Sequence, residues 1–365
     1  MTKLKLGMIG GGPGAFIGPV HLMAARLDDR LALTAGAFSR DAGKNRQAGE
    51  GYGLAPDRVY PSWQALLSEE ARRPDRIDVL SIVTPNDTHF PIAKAALEAG
   101  FHVLCDKPAT LNLEEALRLR DVVRATGKHY ALTYTYSGYP LVREARKLIA
   151  EGRLGQIRKI VVEYSQGWLS QDVHSKQADW RADPRQSGLG GCIADIGVHA
   201  FHLSEFVSGA QVESLSADLG IVVSGRTLDD DCNVLLRYNN GTRGVLVASQ
   251  IAAGDRNGLR LRVYGEKGGL DWSQETPNTL TLNWHDAPTQ ILHAGTPYVS
   301  YGARVPAGHP EGYLEAFATL YSDFAHQVMT GEASLVPGIE DGVRGMAFIE
   351  TAITSSRNKS WETLL

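Results

Sequence analysis

Apolar residues recur along this chain in two rhythms, and the change from one to the other divides it. In the N-terminal third, short apolar runs alternate with segments of helical spacing. Leu4–Ile9 is an apolar run that stops at Gly10-Gly11-Gly12-Pro13-Gly14, and a helical segment, His21–Leu27, leads to a second run, Leu31–Phe38. Ser62–Ala71 reads as a helix with Ser62 as N-cap and Trp63, Leu66 and Leu67 on its apolar side. Ile77–Val83 is almost continuously apolar, as a central parallel strand should be. Thr84-Pro85-Asn86-Asp87-Thr88-His89 closes that run and opens the helix His89–Ala99, which Gly100 ends. Phe101–Cys105 is the next strand, Asn112 and Glu115 start a helix through Val123 in capping-box fashion, and His129–Thr133 is a further strand. Repeated strand–helix alternation predicts an α/β domain with a doubly wound parallel sheet over residues 1–135. Ligands of such sheets sit beyond the C-terminal strand ends, where Thr84-Pro85-Asn86 and Asp106-Lys107-Pro108 both fall.

After the helix Leu141–Glu151 the rhythm becomes one of strands: Ile157–Tyr164, Val212–Leu219, Asn233–Tyr238, Gly244–Gln250, Leu259–Tyr264 and Leu280–Trp284. Leu259, Leu261 and Val263 alternate with Arg260, Arg262 and Tyr264, the period of a sheet with one covered face. Asn239-Asn240-Gly241 suits a hairpin. Residues 136–365 are therefore expected to form an α+β domain with an open, mostly antiparallel sheet, closed by helices Leu314–Met329 and Asp341–Arg357. The other face of that sheet needs a cover, which a second subunit could provide. Residues 285–310 read as an irregular loop, and its His309-Pro310-Glu311-Gly312 end could fold over a pocket.

Bulk properties narrow the function classes. A length of 365 residues fits two domains, and 43% hydrophobic with 21% charged residues is the balance of a soluble globular protein. A net charge of −4 supplies neither a basic field for nucleic acid nor a polybasic patch for a membrane surface. Cys105, Cys192 and Cys232 are far apart and odd in number, which reads as reduced, buried thiols rather than a disulfide frame or zinc site. The N-terminus runs directly into a strand without the apolar run of a signal peptide, and no stretch is long enough to span a bilayer. A cytoplasmic location is expected.

Candidate chemistry lies at three places. Gly10-x-Gly12, after a strand and before a helix, matches the opening of a dinucleotide-binding loop. Its third position is Ala15, allowed in the relaxed motif, or Gly18, which implies an insertion of about three residues. Gly10, Gly12, Gly14, Phe16 and Ile17 are the expected diphosphate contacts. At the end of the second strand, Ser39-Arg40 replaces the usual acid; a hydroxyl followed by a guanidinium suits a 2′-phosphate and favours NADP over NAD. Arg40 could instead lie in solvent or on the adenine, with Asp41 serving NAD. Thr84, Pro85, Asn86, His89, Asp106 and Lys107 complete the cofactor edge, although Asn86 could merely cap the next helix. Farther on, Gly190-Gly191 precede Asp195 and His199; in a helix this spacing stacks carboxylate and imidazole on one face, a pair able to grip a hydroxyl and move its proton. His202 could join Asp195 in a metal set, but no other cluster has matching spacing and no metal is expected. Tyr164, Trp180 and Arg181 could line a carbohydrate pocket or belong to core and surface, and His309 is a further substrate candidate from the late loop.

Together these motifs resemble the glucose–fructose oxidoreductase/inositol dehydrogenase/MocA family over essentially the whole chain. The matching features are the Gly10–Gly12 loop, Thr84-Pro85-Asn86, Asp106-Lys107-Pro108 and Gly190-Gly191-x3-Asp195-x-Gly197-x-His199. Asp106 stands where the family usually has Glu, and the phosphate loop is longer. The resemblance implies a Rossmann domain followed by an open-sheet domain, homodimers or homotetramers through that sheet, and NAD(P)-dependent oxidation of a sugar, inositol or glycoside. It also implies a catalytic trio of Lys107, Asp195 and His199. His199 would be the acid/base, Asp195 would orient the substrate, and Lys107 would stabilise alkoxide character. Two alternatives share the fold: a non-catalytic dinucleotide-binding sugar sensor, and a glycosidase that works by transient oxidation.

Overall fold

In the computed structural model, which describes residues 3–171, 173 and 183–365, the N-terminal apolar runs form a five-stranded parallel sheet. Its strands are β1 (Leu4–Gly10), β2 (Leu31–Ala37), β3 (Val79–Val83), β4 (His102–Cys105) and β5 (Tyr130–Leu132), in the order β2-β1-β3-β4-β5. Helices α1 (Ile17–Leu27), α2 (Ala42–Tyr52), α3 (Trp63–Glu70), α4 (His89–Glu98) and α5 (Leu113–Thr126) fall between them. Every residue of β3 is buried, as a strand covered on both faces requires. Strand order reverses between β1 and β3, so the crevice of this sheet opens where Gly10 pairs with Val83.

Local signals explain most of these boundaries. The Ser62 hydroxyl accepts the Ala65 amide at the start of α3, and Asn112 accepts the Glu115 amide at the start of α5. Helix α1 starts at Ile17, four residues ahead of the apolar periodicity that suggested His21. Helix α2 has no strong apolar stripe, only Asn45, Ala48 and Gly49 being buried; Asp41 caps it at 2.8 Å from the Lys44 amide and Gly53 ends it at φ 79°.

The chain divides into two compact units, Met1–Thr135 with Phe317–Val343, and Tyr136–Ala316 with Arg344–Leu365. A late segment thus groups with the parallel-sheet unit, where the sequence reading kept all of 136–365 together. The reason is visible inside that unit: Phe317 and Tyr321 stack edge-on against His21 of α1, with centroids 4.9 and 5.8 Å away, and the Tyr321 hydroxyl lies 2.9 Å from Ser81 of β3.

The second unit holds helices α6 (Pro140–Ala150), α7 (Pro184–Ser187) and α8 (Val198–Ser208), and a nine-stranded sheet. In chain order its strands are β6 (Ile157–Ser165), β7 (Val212–Gly220), β8 (Asp231–Tyr238), β9 (Arg243–Ser249), β10 (Gly258–Gly265), β11 (Gly268–Ser273), β12 (Thr279–Trp284), β13 (Gln290–His293) and β14 (Glu362–Thr363). The sheet order is β13-β12-β11-β10-β6-β9-β8-β7-β14, antiparallel except for the β6–β9 pair. Helix α8 lies against β6, β9 and β10. Leu259, Leu261 and Val263 are buried on this side. The opposite face carries ion pairs Arg262–Glu163 and Arg260–Asp271 together with exposed Leu235, Tyr264 and Ile291. Strand β13 lies within the stretch that reads as a loop; its residues are mostly exposed, so no buried period marks it. The last two helices are α9 (Tyr313–Thr330) and α10 (Ile339–Asn358). No helix among the described residues is long and apolar enough to cross a membrane.

Candidate active site

In the first unit, glycines decide the geometry at the end of β1. Gly10 and Gly11 have φ of 93° and 78°, a region other residues avoid. A Cβ on Gly12 would stand 2.7 Å from the Phe38 carbonyl oxygen, and one on Gly18 would stand 2.3 Å from Gly11 Cα. Gly18, in the first turn of α1, is therefore the glycine that lets helix and loop touch, and Ala15 is not. The Tyr52 hydroxyl donates to the Gly11 carbonyl at 2.7 Å and braces the loop. Gly14 has φ 77° in the intervening turn, and Phe16 is 62% exposed beside it. No side chain caps α1 and no acid sits in its first turn, so its N-terminus suits an anionic group such as a dinucleotide diphosphate.

At the end of β2, Asn45 accepts the Phe38 amide at 2.7 Å and donates to the Tyr60 carbonyl at 2.8 Å, fixing the turn. Arg40 is exposed there. Asp41, the alternative ribose partner, uses its carboxylate on the Lys44 amide.

Two further segments line the same edge. Thr84 follows β3, and Asn86 is buried in the turn after it. His89 is fully buried, with Nδ1 2.7 Å from the Pro108 carbonyl and Nε2 2.9 Å from the Thr84 carbonyl. Both ring nitrogens are thereby engaged by main chain, so the expectation that His89 contacts the cofactor is corrected: the ring holds the loops. Asp106 accepts from the Lys107 amide at 2.9 Å and the Thr133 hydroxyl at 2.7 Å. Lys107 follows, half-buried.

In the second unit, Asp195 and His199 lie on one continuous helical run, though not a regular α-helix. Ile193–Gly197 is a π turn that runs into α8. Its cause is Asp229, 34 residues beyond Asp195 in the chain. The Asp229 carboxylate accepts the Gly191 and Ile193 amides at 2.6 and 2.7 Å, and its carbonyl accepts the Cys192 amide at 2.8 Å. A Cβ on Gly191 would lie 2.2 Å from that carbonyl oxygen, which accounts for the glycine. Asp229 is buried, and burial raises its carboxyl above the ordinary range against the pull of those amides.

Around the pair is a side-chain network. Gln250, at the end of β9, donates to Asp195 Oδ2 at 2.8 Å. The Tyr136 ring meets the buried His199 ring edge-on, with centroids 5.0 Å apart at 79°. Tyr164 donates to Asn257 Oδ1 at 2.7 Å, and Asn257 Nδ2 donates to Tyr136 Oη at 3.3 Å. Tyr136 and Tyr164 are also bonded to one another. The Tyr164 proton goes to Asn257, so the shared proton belongs to Tyr136 and the three groups close a cycle. Burial pushes both phenols above their usual range, keeping them neutral. Tyr164 is thus buried with its hydroxyl engaged in this cycle, and presents no open aromatic face.

Of the remaining candidates, Trp180 and Arg181 lie outside the described residues. His309 is on an exposed turn, with Nδ1 3.1 Å from the carbonyl of Pro306 in the same turn. His202 is buried on α8, and no cluster of three or more potential metal ligands occurs among the described residues. Cys105, Cys192 and Cys232 are free and buried. Gln250, Asp229, Tyr136 and Asn257 carried no motif; only their chemistry, once folded together, marks them.

The model of an oxidoreductase family with an NAD-binding Rossmann fold matches residues 4–134, and that of the GFO/IDH/MocA C-terminal domain matches residues 142–271. The chain is 34% identical to the uncharacterized oxidoreductase YfiI of Bacillus subtilis, over 98% of this chain and 95% of that one. It is 28% identical to a levoglucosan dehydrogenase of Pseudarthrobacter phenanthrenivorans, over 99% and 98% of the two chains. Among solved structures it resembles an inositol dehydrogenase homologue of Azotobacter vinelandii complexed with NADH and myo-inositol, with TM-score 0.92, 36% identity and 99% and 98% coverage. With a glycine-lined, uncapped helix start in one unit and the Asp195–His199 pair in the other, the chain belongs to the GFO/IDH/MocA oxidoreductases, a family with an NAD-binding Rossmann fold.

Proposed function

We propose that this protein is a dehydrogenase that moves hydride between a nicotinamide dinucleotide and a secondary hydroxyl of a cyclitol, sugar or glycoside. The observation that carries the reading is the Asp195–His199 pair, its carboxylate held by Gln250 and its imidazole walled by Tyr136. The close-packed glycine loop at α1 fits a dinucleotide diphosphate. When bound, the nicotinamide supplies the hydride acceptor or donor. His199 takes the hydroxyl proton on oxidation and returns it on reduction. Asp195, with one oxygen anchored by Gln250, grips a substrate hydroxyl and orients the reacting carbon. Lys107 donates to the reacting oxygen and stabilises alkoxide character.

Relatives named for inositol and levoglucosan support a substrate with several ring hydroxyls. Exposed Arg40, with Asp41 occupied as a helix cap, supports use of NADP beside NAD. Arg40→Ala is expected to weaken NADP several-fold while leaving NAD nearly unchanged. The outer sheet face, with Leu235, Tyr264 and Ile291 among paired charges, is the proposed contact of a homodimer or homotetramer, and the cytoplasm the proposed location.

The test is formation of reduced nicotinamide from NAD⁺ and NADP⁺ against inositols, aldoses, anhydrosugars and glycosides, with Lys107→Ala run beside the wild type. Turnover that disappears in the variant supports the reading. Tight cofactor binding with no turnover on any member overturns it in favour of a sensor, and sugar release without net reduction overturns it in favour of a redox glycosidase.

A further inference from the structure

An indole N–H can only donate, and that of Trp168 donates to Gln166 Oε1 at 2.9 Å. The contact fixes which end of the Gln166 amide is oxygen. Gln166 Nε2 therefore faces Asn257 and donates to its Oδ1 at 2.9 Å. The Tyr164 hydroxyl gives the same oxygen a second proton at 2.7 Å. A carbonyl oxygen has two lone pairs, so Asn257 Oδ1 is filled. Asn257 Nδ2 carries two protons, and one goes to Tyr136 Oη at 3.3 Å. The other meets no acceptor among the described residues, and Asn257 is only partly buried. This donor stands one phenol away from the candidate pair. Tyr136 takes the Asn257 bond on its hydroxyl and packs its ring edge-on against His199, with centroids 5.0 Å apart. The Asp195 charge acts on both phenols of the cycle.

We propose that Asn257 is a specificity-determining residue whose remaining N–H donates to a ring ether oxygen of the substrate, so that this site takes cyclic sugars and anhydrosugars in preference to cyclitols. The place offers a donor and little else. A hydroxyl there would accept from Asn257, but its own proton would face an Oδ1 already filled twice and a Tyr164 oxygen that already takes the Tyr136 proton. An ether oxygen has no proton to place. A donor stranded on binding costs affinity, so the site favours the ring that supplies an acceptor for it. The inference rests on the substrate site proposed above around Asp195 and His199, and narrows its substrate class.

Calorimetric titration of the whole chain, in the presence of NADH, with levoglucosan and with myo-inositol reads the preference. The first ligand has ring ether oxygens and the second has none. The wild type should bind levoglucosan the more tightly. Asn257→Asp keeps the shape and the acceptors and removes the N–H. An ether oxygen then meets only a carboxylate, whereas a cyclitol hydroxyl turns its proton toward it. The ratio of the two Kd values should move about tenfold or more toward myo-inositol. The added negative charge is felt by both ligands and cancels in that ratio. Gln166→Glu is a second variant, decisive where the first does not fold. The new carboxylate has no N–H to give, so the Asn257 amide turns over to face it with Nδ2 and presents its oxygen instead. The same shift of ratio is expected. A wild type that prefers myo-inositol or binds neither ligand overturns the proposal, and so does a folded variant whose ratio stays within about twofold of the wild type. Turnover is read apart from binding. Levoglucosan bound without hydride transfer sinks the dehydrogenase reading and leaves this one standing, while oxidation with an unmoved ratio sinks this one alone.

Discussion

The two halves of the candidate machinery are built from different materials. In the parallel-sheet unit the working edge is shaped by main chain: Gly10, Gly12 and Gly18 allow close approach, helix caps set the turns, and the buried His89 bonds only carbonyls. In the open-sheet unit the Asp195–His199 pair is held by side chains from remote segments, namely Asp229, Gln250, Tyr136 and Asn257. A backbone-shaped site tolerates few residue types at fixed positions and leaves a motif. A site braced by distant side chains tolerates many solutions and leaves none.

That contrast can be pressed experimentally. The largest effect should come from His199→Ala: kcat lower by roughly a hundredfold or more, with cofactor affinity intact in a binding titration. Loss of cofactor affinity in step would mean that the second unit does not keep its chemistry apart from the loop.

Next comes Asp229→Ala, which strands the half-buried Gly191 and buried Ile193 amides and should lower unfolding free energy in urea by about 2–4 kcal/mol. The kcat should drop with it, because the π turn loses its anchor. A stable variant with normal kcat would show that Gly190 and Gly191 suffice to shape the turn.

Acid should select the other unit. His21 is fully buried with its value lowered to about 4, so the unfolded chain binds a proton that the folded one refuses. Stability is complete above the unfolded value near 6.5 and falls as pH drops from there toward 4, by on the order of 3 kcal/mol. Urea titrations at a series of pH values should show this slope shrinking in His21→Asn.

The smallest change is Gly18→Ala. Its Cβ would meet Gly11 backbone, which cannot swing away, and NAD affinity should fall about tenfold in a binding titration. Unchanged affinity would return the third-glycine role to Ala15.

How much of this was legible follows the same division. The alternation of apolar runs and caps gave the parallel sheet almost to the residue, because β3 and its neighbours are buried on both faces. Helix α2 escaped notice because its buried face is Asn, Ala and Gly, and β13 because it has little buried face at all. Asp195 and His199 stand out by their spacing, yet the π turn that carries Asp195 is anchored by Asp229, a contact no local pattern reports. Tyr164 was picked out for its aromatic ring, whereas its hydroxyl is what the fold uses. Placing Phe317–Val343 with the first unit was illegible for a like reason: it depends on a histidine about three hundred residues away, reached through Tyr321.

The Tyr136–Tyr164–Asn257 cycle also has a bearing on how the protein comes to life. Its members are 28 and 93 positions apart along the chain, so it closes only after β6 and the segment before β10 have found each other, whereas helices need only near neighbours. Until then His199 has no wall of fixed polarity. During refolding, recovery of turnover should therefore trail the helical signal, and a nascent chain would be fully helical in parts well before it is an enzyme.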